Sequence, residues 1–499
     1  METNFSSISH PDSSFFLSEK LFSESSDIMD FNLSGNILKY FLAISVGTYT
    51  VGVFRTRGRV ESKTAKPYST FTHPHKNLLD KILCFIIYFV VPFQNLLNIS
   101  HKSEVYWRGR DKDAKRNISI LQNLRKRIAM LELNFFHFPG CYLWNRLIQK
   151  YDKDDFLMGG TVLVQRHSSI LSEWGFGGDQ KNVFIEDDPI QVEVTCAAST
   201  LKGKYTLDDK KKSYGYQAFQ TCKLQDVKID SNVPIFIYFH GGGFVVGNPR
   251  DYFPNFIQSL LKKQASSHGT VLPILLASVK YRLCPEHPFP AAVIDCLSTT
   301  KEIIERYPKN DIHLVGFSAG GNLATTVGFE CTRKYPGRVK SIVALQPFLC
   351  PRANSTSYHM NQSCAGIVTP SVLRWLWFSY LQLGFFDENN MNEEIAKHPL
   401  FQLGGIGSIN PMLRLCYPTA DAPYHLRQTE GKPLPPEIFV VEGSGDPLRD
   451  DARDLIETLE QHCDKVNAYK AHGSHGLAII LDLKCKRKLR DEWSTCIWS

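Results

Sequence analysis

No Cys-x-x-Cys pair occurs among the 13 cysteines of this 499-residue chain, so a structural zinc site has no ligand framework. The odd count and the scatter of the cysteines argue against a complete disulfide framework and leave room for one or two bridges. No zinc-finger spacing, RNP motif or helix-turn-helix pattern is present, and no internal repeat is visible. The net charge of +7 is matched by residues 101–150 alone, which hold eleven Lys/Arg against four Asp/Glu. The remainder is close to neutral, and a nucleic-acid partner is not expected. What the chain does have is a globular balance, 43% hydrophobic and 21% charged, enough for a large core.

Residues 1–34 are Ser-rich and acidic, with Lys20 as their only Lys or Arg, and read as a disordered tail. Residues 35–100 form a membrane-anchor region with two candidate spans, 37–54 (ILKYFLAISVGTYTVGVF) and 82–99 (ILCFIIYFVVPFQNLLNI). Each approaches the ~20 apolar residues that cross a bilayer. Both lie far from Met1, and no small-residue cleavage site marks a removable signal. The plainer alternative is a pair of buried core helices, and Pro92, Gln94 and Asn95 weaken the second span. The acidic tail and the seven basic residues of 55–81 place that linker in the cytosol and the C-terminal bulk in the lumen of the endoplasmic reticulum. The basic residues after Ile99 pull the other way. Six Asn-x-Ser/Thr sequons occur, and Asn354 and Asn361 are the glycosylation candidates in the bulk of the chain.

Residues 101–215 contain amphipathic pieces and no chemical motif, and read as a membrane-facing surface or part of a cap. From about 230, short apolar runs alternate with helical patterns: Val233–Phe239, Val271–Val279, Ile312–Val315, Ile342–Leu345 and Ile438–Val441. This alternation predicts an α/β fold with a mainly parallel sheet covered by helices. The expected catalytic domain is 216–490, with a cap insertion at about 351–430.

Two glycine clusters carry the chemistry. The first is His240-Gly241-Gly242-Gly243 after a strand, and the second is Gly316-Phe317-Ser318-Ala319-Gly320 between a strand and a helix-forming run. The second spacing fits a sharp strand-to-helix turn that presents the Ser318 hydroxyl beside free helix N–H groups. Bare N–H groups of Gly242 and Gly243, with that of Ala319, then form an oxyanion hole. A serine needs a base, and the base an orienting carboxylate. Downstream, Asp446 follows the strand at 438–441, with Asp450 and Asp451 as competitors placed as first-turn helix charges. For the base, His475 precedes Gly476, and His472 is the alternative.

HGGGF at 240–244, YRLCPEHPFPAA at 281–292, GFSAGGN at 316–322, DPLRDD at 446–451 and HG at 475–476 together resemble the hormone-sensitive-lipase family of α/β-hydrolases. The resemblance covers about half of the chain. It implies an α/β-hydrolase fold with a cap, a Ser318–Asp446–His475 triad, and an oxyanion hole at Gly242, Gly243 and Ala319. It also implies that the YRLCPEHPFP segment is a turn shaping the site. Phe317 stands where the family usually has Asp, which puts the local hydrogen bonding in question. An anchored, lumenal hydrolase is similar in architecture to arylacetamide deacetylases and fungal steryl acetyl hydrolases. The expectation is therefore a serine ester hydrolase acting on acetyl esters of sterols or other lipophilic alcohols, with no metal or organic cofactor. The alternatives are an amidase of lipophilic amides and an inactive ligand-binding protein of the same fold. The aromatic run at 371–383 (SVLRWLWFSYLQL) reads equally as a pocket wall, a membrane contact or core packing.

Overall fold

The structure, a computed structural model, describes residues 157–176, 188–203, 205–206, 216–249, 257, 274–361, 368, 370–383, 391–401, 410–420, 437–461, 466–476, 479 and 482–498. The disordered-tail call, both candidate membrane spans and the stretch 101–156 lie outside these residues. Among the described residues, no helix is long and apolar enough to cross a membrane.

In chain order the elements are β1 (Leu157–Val164), α1 (Ile170–Glu173), β2 (Ile190–Ala197), β3 (Tyr216–Ala218), β4 (Cys222–Lys223), β5 (Ile235–Phe239), β6 (Leu275–Val279), α2 (Ala291–Arg306), β7 (Ile312–Phe317), α3 (Ala319–Lys334) and β8 (Val339–Leu345). They continue with α4 (Thr356–Met360), α5 (Pro370–Leu381), α6 (Met391–Lys397), α7 (Leu413–Cys416), β9 (Glu437–Gly443), α8 (Arg449–Glu460), β10 (Val466–Ala471) and α9 (Leu483–Trp498). The strands form one sheet in the order β10-β9-β8-β7-β5-β6-β2-β1-β3, with β4 beside β1. From β6 to β10 every pairing is parallel, and β2 joins β6 antiparallel.

The central strands are apolar on both faces because helices cover both, so no polar alternation survives in IFIYF or IHLVGF. Side-chain alternation divides them between two cores. Ile235, Ile237, Phe239, Leu314, Ala344 and Val440 face α2, α3 and α8, whereas Phe236, Tyr238, Val315, Leu345 and Val441 face Leu489, Trp493 and Ile497 of α9. α3 is buried from Ala319 through Thr332. Its Gly328 lets the helix lie directly on β8, since a Cβ there would overlap Ile342.

The expected domain start at 216 is corrected. β1 and β2 belong to the same sheet, with Val192 opposite Val279 of β6 and Val162 opposite Val192, so the hydrolase domain includes at least 157–203. The segment is also tied in by charge. Arg166 Nε donates to Asp295 Oδ1 at 2.9 Å, an oxygen shared with Arg282. Glu330 of α3 pairs with Arg333 and Arg414, and Arg333 reaches Trp174 O. No chemical motif announced this region because its strands act only by pairing.

Among the described residues, the insertion between β8 and β9 carries the helices α4 to α7. Trp375, Trp377, Phe378 and Tyr380 of α5 are all buried, with Tyr380 stacked on Phe244 at 3.9 Å and Trp377 against Phe348 at 4.7 Å. Core packing explains these four, and they are not available for membrane contact.

Candidate active site

The site is assembled at the C-terminal ends of β5, β7, β8, β9 and β10. Ser318 links β7 to α3 with φ 57 and ψ −119, a strained backbone for a non-glycine residue. Its neighbours hold it there. Ser318 N donates to Leu345 O at 2.9 Å, and Ser318 O accepts from Gly321 N, Asn322 N and Phe348 N. The flanking glycines serve close approach and not dihedral freedom. A Cβ on Gly316 would overlap Gly320 O, and one on Gly320 would overlap Phe239 O. The strained residue of the turn is the serine itself.

The second glycine cluster follows β5. Gly242 has φ +114 and Gly243 φ +60, and among the described residues neither N–H has an acceptor. A Cβ on Gly242 would run into Val246 O, and one on Gly243 into the side chain of Leu376 from α5. The preceding His240 is buried, and burial pushes its imidazole down to about 4. It is therefore neutral, with Nδ1 within 2.8 Å of Gly241 O. Tyr281 stacks on it at 4.1 Å and donates from its hydroxyl to His240 O at 2.7 Å. Cys284 N donates to Phe244 O at 2.9 Å. The YRLCPEHPFP segment thus buttresses the glycine loop, as the family resemblance implies.

Asp446 and His475 come together although 29 residues separate them. His475 Nδ1 lies 2.8 Å from Asp446 Oδ2, and the carboxylate is fully buried. Asp446 Oδ1 accepts from Leu448 N at 2.9 Å. The Phe317 ring stacks on the His475 imidazole at 4.9 Å, with an interplanar angle of 30°. Phe317 adjoins Ser318 in the chain, so this contact sets the base loop beside the turn. It also answers the departure from the usual Asp: the position packs on the histidine. Ser318 and His475 share no hydrogen bond in the structure.

The competing residues are engaged elsewhere. Asp450 Oδ2 accepts from Ser357 N, and Asp451 Oδ2 accepts from Leu349 N and Cys350 N. His472 is exposed, and its N–H donates to Asp482. Of the two glycosylation candidates, Asn354 is exposed, but Asn361 is a correction. It is buried, and its Nδ2 donates to Asp446 O at 2.8 Å. That nitrogen is the atom a glycan would occupy, so Asn361 supports the acid loop from within the fold. Sequence reasoning also missed Gln346, whose side chain touches both the acid and base loops. No motif marks it. Among the described residues, no cluster of His, Cys, Asp or Glu could hold a metal ion.

Residues 236–477 match a family model described as an alpha/beta hydrolase fold. A versiconal hemiacetal acetate esterase of Emericella nidulans is 28% identical over 252 residues, covering 47% of this chain and 72% of that protein. A probable carboxylesterase of Arabidopsis thaliana is 32% identical over 125 residues, covering 23% of this chain and 38% of that one. Among solved structures, a bacterial heroin esterase aligns with a TM-score of 0.47 at 18% identity, over 74% of this chain and 92% of that one. Residues 236–477, just under half of this chain, are by this match and the motifs within it an α/β-hydrolase domain of the hormone-sensitive-lipase type.

Proposed function

We propose that this chain hydrolyses acetyl or similarly short-chain esters of a lipophilic alcohol, using Ser318, His475 and Asp446 as a triad. The observation that carries the reading is the buried Asp446–His475 pair at 2.8 Å, set by Phe317 beside the Ser318 turn. In this reading Ser318 Oγ attacks the ester carbonyl carbon while its proton passes to His475 Nε2. The developing oxyanion is met by the N–H groups of Gly242, Gly243 and Ala319. His475 Nε2 then protonates the departing alkoxide, leaving an acyl-serine. Water attacks that ester with His475 again as base, and the acid and free serine are released. Asp446 holds Nδ1–H in place, which fixes the tautomer with Nε2 free to take the proton. The short acyl chain is favoured by the name of the Emericella relative, an acetate esterase.

A sterol as the alcohol, anchoring through 37–54, 82–99 or both, and a lumenal catalytic domain in the endoplasmic reticulum complete the proposal. The anchoring and topology are supported by the charge asymmetry around the two apolar stretches, and the sterol by the architectural resemblance alone. The deciding experiment measures hydrolysis of p-nitrophenyl, aryl and steryl acetates by membranes holding the full chain, with Ser318→Ala as control. Matched acetamides run in parallel, and faster amide than ester cleavage would replace the esterase reading with an amidase. For topology, a glycosidase-sensitive mobility shift abolished by Asn354→Gln supports the lumen. Full protease sensitivity of the domain in sealed microsomes, without such a shift, places it in the cytosol.

A further inference from the structure

Gln346 is the first residue after β8, fully buried, with φ 44 and its N–H bonded to Val441 O at 2.8 Å. Its side chain reaches both loops of the proposed triad. Oε1 accepts from Gly476 N at 2.8 Å, and Nε2 donates to Asp446 Oδ2 at 2.6 Å and reaches Ser474 O at 3.4 Å. The residues on each side of His475 are therefore tied to the same amide that grips its carboxylate partner. The amide's orientation follows from its neighbours: a flip would put oxygen against a carboxylate and N–H against N–H. There is no slack for a different pose, because a Cβ on Gly443 would already overlap Nε2.

We infer that Gln346 is a positioning residue that sets the His475 ring against Asp446. The inference rests on the triad reading above. Asp446 Oδ2 accepts two hydrogen bonds, from His475 Nδ1 and from Gln346 Nε2. The second donor fixes the carboxylate's orientation against the ring. The other titratable groups around Asp446 are turned away. Asp450 faces Ser357 N and Arg449, and Asp451 faces Leu349 N, Cys350 N and the Tyr358 hydroxyl. Gln346 and Leu448 N thus hold the carboxylate beside His475.

The test uses the full chain, with active sites counted by fluorophosphonate labelling and p-nitrophenyl acetate hydrolysis followed from acid to alkaline pH. Gln346→Leu removes both bonds. It is expected to lower kcat per labelled site by about tenfold or more, with KM little changed, because orientation is lost and not binding. Gln346→Met keeps the length of the side chain and loses both bonds. It should show the same fall in kcat with KM little changed, and it decides the matter if the Leu variant does not fold. Wild-type kinetics per site in a folded Gln346→Leu, even with a lower Tm, would reduce the residue to packing and overturn the inference. A wild-type chain that is neither labelled nor active would instead remove the triad reading, and this inference with it.

Discussion

Ser318 sits in a conformation that costs about 1–3 kcal/mol, and its carbonyl accepts three backbone bonds that hold it there. Ser318→Ala, Asp446→Ala and His475→Ala are each expected to lower kcat by several orders of magnitude. Their combinations should add little more, because the three act as a unit. His472→Ala, at an exposed position, should retain most of the rate; an inactive His472→Ala beside an active His475→Ala would reverse the assignment of the base. The two oxyanion glycines are expected to differ. A methyl at Gly242 meets backbone at Val246 O, at φ +114, whereas one at Gly243 meets only the flexible end of Leu376, at φ +60. Gly242→Ala should therefore lower kcat by about a hundredfold or more, the effect of losing one oxyanion donor. Gly243→Ala should lower it less, and equal kcat in both variants and the wild type would remove the loop from the reaction.

At the scale of elements, α8 begins with a buried acid that the chemistry does not use. Asp451 Oδ2 accepts three hydrogen bonds while Oδ1 has none, and burial pushes the carboxyl up from 3.8 to about 7. A carboxyl with a raised folded pKa binds more protons folded than unfolded. Its contribution is therefore fully present below 3.8 and is lost as pH rises toward about 7. Asp451→Asn keeps an acceptor for Leu349 N and Cys350 N and cannot ionise. Its stability should gain on the wild type across that window, by up to ~4 kcal/mol, since each pKa unit is worth 1.36 kcal/mol. Urea unfolding at a series of pH values measures this, and parallel curves for the two proteins would show that Asp451 does not titrate there.

For the whole molecule, the decisive feature is that the sheet continues past the motif-bearing strands. β1 and β2 extend it beyond β6, and Arg166 supplies one of the two guanidiniums that neutralise the fully buried Asp295. Removing one partner of a buried ion pair costs about 3–5 kcal/mol, and removing β2 also bares the edge of β6. A chain starting at residue 216 should therefore be insoluble or unlabelled by a fluorophosphonate, although it keeps every proposed catalytic residue. In the full chain, Arg166→Ala alone should lower Tm while leaving kcat per labelled site near wild type. A soluble, active chain from 216 would return the domain boundary to that position.

The sequence by itself determined the parallel α/β core and which residues to propose for the site. Apolar runs such as IFIYF have to be buried on both faces, and glycine, serine, aspartate and histidine at these spacings are costly unless the backbone needs them. Local chemistry was enough to separate Asp446 from Asp450 and Asp451, because only Asp446 precedes the helix. Other features were decided by tertiary structure alone. Strands β1 and β2 carry no motif and are defined by partners elsewhere in the chain, as Val192 is by Val279 of β6. Asn361 reads as a surface sequon until the fold turns its amide toward Asp446 O, and Gln346 reads as an ordinary glutamine until Asp446 and Gly476 close around it. Phe317 looks like a lost hydrogen-bonding residue until His475 is stacked on it. Each of these roles is a contact between residues distant in the chain, and a hydrogen bond or ring stack of that kind leaves no periodicity or spacing in the sequence to be read.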